Sequence, residues 1–341
     1  MNRQDSPPAV GVVAIGRNEG ERLRRCLEAA RKQCACVVYV DSGSQDGSVT
    51  MARALGVEVV ELDMSTPFTA ARARNAGMRR LREARPELEF VQFLDGDCEL
   101  VAGWIETGLG PLSGRAELAV VCGRVRERNR NATIYNRLCD MEWNVPAGEA
   151  DACGGNALMR IAAFERVGGF DANIMAGEEP ELCQRLRAQG FKVLRLEAEM
   201  VLHDAAMTRW IQWWRRTVRT GYGMAEFAAR PGSSKQFEMR FVRSALTWGL
   251  VFPALTLAGM ALAAAHASCA GALLVACGAA AVVLAQTVRI ALKRNKPGES
   301  RGDAFLYAAA CMAAKAPEIV GMLRYVLQRA WRQRARLIEY K

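Results

Sequence analysis

The residues best placed for chemistry are the carboxylates of Leu-Asp-Gly-Asp-Cys at 94–98, where Asp95 and Asp97 flank a glycine at the end of an apolar run. Acids at alternate positions in a tight turn can reach a divalent cation and a nucleotide together, and hard oxygen ligands suit Mg²⁺ or Mn²⁺. Such a pair is also common in a solvated turn, so its neighbours must decide. Val-Asp-Ser-Gly-Ser-Gln-Asp-Gly-Ser (40–48) supplies two more acids. Asp41, at a predicted strand end, can accept from base or ribose donors, while Asp46 stands where it could equally cap the helix that follows. The loop Gly-Arg-Asn-Glu-Gly-Glu (16–21) puts Asn18 and Glu19 just past the first strand, where a nucleoside could lie. Neither an ATP-type phosphate loop nor a dinucleotide glycine fingerprint is present.

These acids need a scaffold, and the surrounding pattern predicts one. Strands are expected at 10–16, 36–44 (running into a polar loop), 57–62 and 89–97, alternating with helices at 21–33, 48–56 and 72–84. That alternation, continuing to about Leu202, predicts an α/β layer structure with a mostly parallel sheet, whose ligands sit outside the carboxyl ends of the strands. The acids fall at those ends.

Composition changes from Arg209 onward. Residues 209–243 carry eight Lys or Arg against Glu226 and Glu238. Uncharged runs of 21 and 22 residues follow at 245–265 and 267–288, each long enough to cross a hydrocarbon core as a helix. Only His266 separates them, and both outer flanks are basic, so the positive-inside rule predicts a hairpin with its flanks in the cytoplasm. A third apolar stretch, 304–327, contains Lys315, Pro317, Glu318 and Arg324 and reads better as an amphipathic or re-entrant segment than as a third span. Of the net charge of +10, residues 289–341 hold +8, so the excess belongs to a short tail rather than to a groove. Nucleic acid is thereby disfavoured as a partner and anionic lipid favoured. Eleven scattered cysteines without a Cys-x-x-Cys pair predict reduced, buried thiols rather than a zinc or disulfide framework. The first residues lack the apolar core of a secretory signal.

Taken together, residues 10–29, Val-Asp-Ser-Gly-Ser-Gln-Asp-Gly-Ser, the Ala-Ala-Arg-Ala-Arg-Asn stretch at 70–79, Phe-Leu-Asp-Gly-Asp-Cys-Glu-Leu, the Ala-Cys-Gly-Gly-Asn stretch at 152–171 and the Gly-Glu-Glu-Pro-Glu-Leu stretch at 177–190 resemble, in order and spacing, glycosyltransferase family 2 and its membrane-anchored bacterial members. The resemblance covers about residues 10–204. It implies a GT-A fold with a Rossmann-like mixed sheet, a nucleotide-sugar donor, a divalent metal and inversion at the anomeric carbon. By the same resemblance, Glu19 and Asp41 would bind the nucleoside and Arg74 would lie near the diphosphate. Asp95 and Asp97 would form the DxD motif and serve the metal, with Asp97 the better candidate for direct ligation. Gly154, Gly155 and Asn156 would shape the acceptor side, and His203 would join metal or diphosphate binding. The base would be Glu179, standing where the family usually has Asp, or its neighbour Glu178. Family polymerases carry Gln-x-x-Arg-Trp; here Gln212 to Arg215 fits but Arg216 replaces the Trp, which argues for transfer of a single sugar.

The expected organisation is a tail at 1–9, a catalytic domain at 10–208, a basic interfacial linker at 209–243, a transmembrane hairpin at 244–288 and a basic tail at 289–341. In the linker, Trp210, Trp213 and Trp214 would lie at the headgroup level with Arg215, Arg216 and Arg219 facing phosphates. The expected setting is the bacterial inner membrane with the catalytic domain facing the cytoplasm and a polyprenyl-linked or glycolipid acceptor. The alternatives are another nucleotide-sugar enzyme, such as a nucleotidyltransferase, and a non-catalytic membrane scaffold.

Overall fold

The computed structural model describes residues 10–230, 235–266, 268–294 and 296–331. The expected tail at 1–9 and the basic residues Arg332, Arg334 and Arg336 lie outside them. The described chain divides into two units: residues up to Ala132 with Glu142–Ala206, and Thr133–Met141 with the chain from Met207 onward.

The first unit is built on a nine-stranded sheet. It begins as β1 (Val10–Gly16), α1 (Glu21–Gln33), β2 (Cys36–Asp41), α2 (Ser48–Ala54), β3 (Glu58–Glu61), α3 (Ala70–Ala84) and β4 (Phe90–Asp95). It continues through β5 (Cys98–Leu100), α4 (Trp104–Gly114), β6 (Leu118–Glu127), α5 (Ile134–Trp143, shared with the second unit), β7 (Gly148–Glu149), β8 (Ala157–Arg160), α6 (Ile161–Arg166), α7 (Glu178–Ala188) and β9 (Lys192–His203). The strand order is β3-β2-β1-β4-β8-β6-β9-β5, with β7 on β9.

β1 and β2 are nearly unbroken apolar runs because helices cover both faces, as parallel strands require. α3 lies so close to them that a Cβ on Gly77 would press into Val13 and Val40, which is why glycine stands in mid-helix there. Thr69 starts α3 by accepting the Arg72 N–H on its hydroxyl at 3.1 Å. The four strands β3, β2, β1 and β4 are parallel as expected. Beyond β4 the expectation of a mostly parallel sheet fails: β8 joins β4 and β6 antiparallel, β9 runs parallel to β6, and β5 and β7 pair antiparallel with β9. This mixed half has a function, because it brings β5, β6 and β9 side by side.

The second unit is helical: α8 (Trp210–Ala228), α9 (Lys235–Leu246), a π-helical turn at Thr247–Val251, α10 (Phe252–His266), α11 (Cys269–Lys293), α12 (Arg301–Ala313) and α13 (Lys315–Ala330). Three stretches, Met239–His266, Cys269–Lys293 and Arg301–Ala330, are long and apolar enough to cross a membrane. The first two present their leucines outward, among them Leu255, Leu257, Leu273 and Leu274. The third breaks at Ala314, and two of the three charges that argue against a crossing neutralise each other, Lys315 Nζ lying 2.8 Å from Glu318 Oε2. α13 packs on α8 at backbone contact, since Gly321 faces the Val218 carbonyl and Gly221 faces the backbone of Glu318.

The three tryptophans expected together at a membrane interface separate. Trp210 and Trp214, one turn apart, stack edge to face at 5.3 Å with Trp210 exposed, whereas Trp213 is buried with Leu138 and Met141. At 100° per residue, Trp213 sits about 60° round the helix from Trp210 and about 100° from Trp214, so packing against Leu138 and Met141, not an opposite face, buries it. Gln212 is occupied at the start of α8, its Oε1 accepting the backbone N–H groups of Thr208 and Arg209 at 2.9 and 3.0 Å.

Candidate active site

The carboxyl ends of β2, β1 and β4 form one edge. Register places Asp41 beside Gly16 and Asp95 beside Ile15, so β1 separates the two acids by one strand. Asp41 is buried and its oxygens are engaged: the Tyr39 hydroxyl donates to Oδ1 at 2.8 Å, and the N–H groups of Gly43 and Ser44 donate to Oδ2 at 2.9 and 2.8 Å. Tyr39 escaped the sequence reading, although a strand's two-residue period places it on the same face as Asp41. Asn18 holds two loops together, its N–H donating to Ser44 Oγ and its Oδ1 accepting from Gln45 N. Glu19 pairs with Arg22 at 2.7 Å and lies along Gly96, where a Cβ would come within 3.4 Å of its Cγ. Asp46 takes the local role of a turn former, accepting from Ser48 N and Oγ.

Arg74, expected near a diphosphate, is committed to two carboxylates. It is 2 % exposed; its Nη2 donates to Asp95 Oδ1 at 2.7 Å and its Nη1 to Glu178 Oε1 at 2.6 Å. Burial alone would lower its pKa, but Asp95 and Glu178 outweigh that and hold the guanidinium charged. One side chain of α3 thus ties the end of β4 to the first turn of α7. Gly155 makes room for the pair, since a Cβ there would lie 2.7 Å from both Arg74 Nη2 and Asp95 Oδ2. Gly154 has φ +82, a conformation open to glycine. Asn156 fixes the strand end by accepting the Asp95 N–H at 2.8 Å.

α7 starts at Gly177 with φ +93 and carries Glu178, Glu179 and Glu181 in its first turn, where the helix dipole favours negative charge. The two neighbouring glutamates are both buried but differently held. Glu178 Oε1 is ion-paired with Arg74. Glu179 Oε1 accepts the Cys153 N–H and the Cys183 thiol, the latter at 3.3 Å, while Oε2 has no partner among the described residues.

His203 ends β9. Register sets Cys98 of β5 opposite it on one side and Glu127 of β6 on the other. Its Nε2 lies 3.2 Å from Asp97 Oδ2 and its Nδ1 2.9 Å from Glu127 Oε2. Trp143 meets the imidazole edge to face at 4.4 Å. Asp97, Cys98 and His203 have donor atoms close enough to surround one cation. Burial pushes the Cys98 thiol far up, so it keeps its proton beside Asp97 Oδ1 and the oxygen and nitrogen donors remain. An oxygen and imidazole set fits Mg²⁺ or Mn²⁺. Glu127 and Trp143 were not singled out from sequence. Glu127 sits in a charged run, and only the pairing of β6 with β9 reveals it.

Residues 12–168 match the profile described as glycosyl transferase family 2. Glu178, Glu179 and His203 lie beyond that match. Two curated relatives are each 27% identical: a glycosyltransferase, AglE, of Haloferax volcanii over 199 residues (54% of this chain, 64% of that one), and a pre-mycofactocin glycosyltransferase of Mycobacterium tuberculosis over 235 residues (65% and 48%). The chain therefore spans between about half and two thirds of their length. Among solved structures, a mannosyltransferase from Pyrobaculum calidifontis in complex with GDP-Man and Mn²⁺ superposes with a TM-score of 0.62 at 19% identity, covering 95% of this chain and 89% of that one. That likeness establishes the GT-A fold followed by apolar helices. Residues 12–168, with the acids of the β4 end inside them, are thus similar to glycosyltransferase family 2.

Proposed function

We propose that this chain transfers one sugar, with inversion, from a nucleotide-sugar donor to a polyprenyl-linked or glycolipid acceptor at a membrane surface, in cell-envelope or exopolysaccharide synthesis. The observation that carries the reading is Arg74, which couples the Asp95 end of β4 to the glutamates of α7 and so joins a donor side to an acceptor side. Asp97 and His203 would hold a divalent cation, which when bound neutralises charge on the departing nucleoside diphosphate. The mannosyltransferase that shares the fold was solved with a nucleotide sugar and Mn²⁺, which supports that reading.

Glu179 is the base. An acceptor hydroxyl must lose its proton as it attacks the anomeric carbon, and Glu179, which has no cationic partner among the described residues, is better suited to take it than Glu178, whose Oε1 is ion-paired with Arg74. Glu178 positions the turn. The Cys153 N–H and the Cys183 thiol fix the plane of the base by holding Oε1. Asp41 and Glu19 flank the place for the nucleoside, with Asp41 pre-set by three donors.

For the membrane, α10 and α11 form the crossing hairpin, with basic flanks on the cytoplasmic side. Arg301–Ala330 lies along the face rather than crossing, because α13 is fastened to α8, whose Arg215, Arg216 and Arg219 belong in water or among phosphates. Anchoring raises the effective concentration of a lipid acceptor.

The test is a radiolabelled-donor panel on membranes containing the full chain, with lipid extraction of the product. Label should enter the lipid fraction and be lost in Asp97→Ala. A water-soluble product indifferent to Asp97→Ala, or no product with any donor, would overturn the proposal.

A further inference from the structure

The metal reading above names Asp97 and His203, and it leaves unexplained why a carboxylate with a fully buried side chain stands behind the histidine. Glu127 is at the last position of β6, and its side chain is 0% exposed. Burying a carboxylate this deeply costs several kcal/mol unless its oxygens are engaged. Two of their contacts meet at the end of β9: Oε2 lies 2.9 Å from His203 Nδ1, and both oxygens accept the Ala205 N–H at 3.2 Å, two residues beyond the histidine. Glu127 therefore grips the end of β9 by side chain and backbone together. Trp143 closes the third side of the ring.

The geometry points to Glu127 as a positioning residue that accepts the Nδ1–H of His203 and thereby presents the Nε2 lone pair, beside Asp97 Oδ2, to a divalent cation. A neutral imidazole carries one proton, and a carboxylate at Nδ1 fixes it there, leaving Nε2 as the donor. The same contact makes Nε2 more basic, as carboxylates behind metal-bound histidines do. Strand pairing builds the arrangement: parallel β6 and β9 set Glu127 opposite His203, and antiparallel β5 sets Cys98, next to Asp97, on the other flank. Three strands distant in sequence are thus registered on one imidazole.

This inference rests on the metal site of the proposed function, and its test separates the two. Mn²⁺ binding to the full chain in detergent is followed by the electron paramagnetic resonance of free Mn²⁺, and the ¹⁴N coupling of bound Mn²⁺ by electron spin echo. Wild type should bind with a nitrogen coupling, and Asp97→Ala should abolish binding. Glu127→Ala should weaken binding by about 10- to 100-fold. The nitrogen coupling should be reduced or lost, and the double variant with His203→Ala should bind no more weakly than His203→Ala alone. Glu127→Gln keeps an acceptor oxygen for Nδ1–H and for Ala205 but loses the charge, so it should retain the coupling with affinity between wild type and Glu127→Ala; it also serves if Glu127→Ala does not fold. Wild-type affinity in Glu127→Gln, an unchanged nitrogen coupling in folded Glu127→Ala, or losses that multiply in the double variant would each overturn the role of Glu127. No Mn²⁺ binding by wild type would overturn the metal reading and this inference with it, while the donor panel would still judge glycosyl transfer.

Discussion

Both units bury acids, but they satisfy them over very different distances along the chain. In the sheet unit, Glu178 reaches Arg74 across 104 residues and Glu127 reaches His203 across 76. In the helical unit most pairing is local: Glu318 is paired with Lys315 three residues earlier, Asp303 closes a capping box with Ser300 besides lying 3.8 Å from the distant Arg137, and Arg294 holds Glu299 five residues on while lying over the Tyr307 ring. A local pair mends a local problem, such as a helix end or a charge on an apolar helix. A long-range pair exists only once the sheet has formed, and it fixes the relative position of elements that chemistry needs together. The difference separates charges that stabilise an element from charges that assemble a site.

The largest expected effect tests the division of labour within the long-range set. Glu179→Gln should lower turnover by about 10²- to 10⁴-fold, the usual contribution of a positioned base, with donor affinity unchanged. Single-turnover measurements with saturating donor check it. Glu178→Gln should instead weaken donor and metal binding through Arg74. Should the two variants exchange phenotypes, Glu178 would be the base and the reading of α7 would be reversed.

Arg74→Met comes next, and it sharpens the comparison because one cation serves two acids. Removing it leaves Glu178 buried without its partner, a change that typically costs about 3–5 kcal/mol. Denaturant unfolding of the sheet unit should show it, and adding Glu178→Gln should recover part of the loss. An undiminished unfolding free energy in Arg74→Met would mean that the network is incidental to the fold.

A third prediction concerns thiols, which sit mainly in the sheet unit. Burial pushes Cys34 and Cys122 from the ordinary 9.0 up to about 12. Because the folded state favours the protonated form, these groups contribute stability fully present below pH 9.0 and lost as pH rises from there toward about 12. Each thiol should contribute a slope of about 1.4 kcal/mol per pH unit in that window. Melting temperature measured from pH 8 upward should fall accordingly, and Cys122→Ala should flatten the fall. A flat profile in the wild type would show that the thiols do not control alkaline unfolding.

How much of this was legible follows the same divide. Val10–Gly16 and Glu21–Gln33 agree with their apolar periodicity residue for residue, as do the acids at the ends of β2 and β4, because period and turn chemistry are written locally. The antiparallel half of the sheet was not legible, since the partner of a strand is decided by tertiary pairing. For that reason Glu127, set among Arg124, Arg126 and Arg128, carries no local signal of its role, which the pairing of β6 with β9 supplies. Arg74 was placed by resemblance alone, and its bond to Glu178 needed coordinates. Trp213 follows the same divide: helical spacing leaves it near Trp210, and only its packing against Leu138 and Met141 sets it apart.

The smallest expected effect probes the local side of the comparison. Ser300 starts α12 by accepting the Asp303 N–H on Oγ at 3.1 Å, and Asp303 Oδ2 accepts the Ser300 N–H at 3.0 Å. Ser300→Ala removes the first of these bonds, so it should cost about 1 kcal/mol of stability. If local pairs serve only their own element, that loss should leave Mn²⁺ and donor affinity within about twofold of wild type, as for an uncoupled site. The measurement is a titration of donor against the variant at a temperature where it remains folded. A larger change would mean that the start of α12 is coupled to the catalytic acids, and the distinction between charges that stabilise and charges that assemble would no longer follow the boundary between the two units.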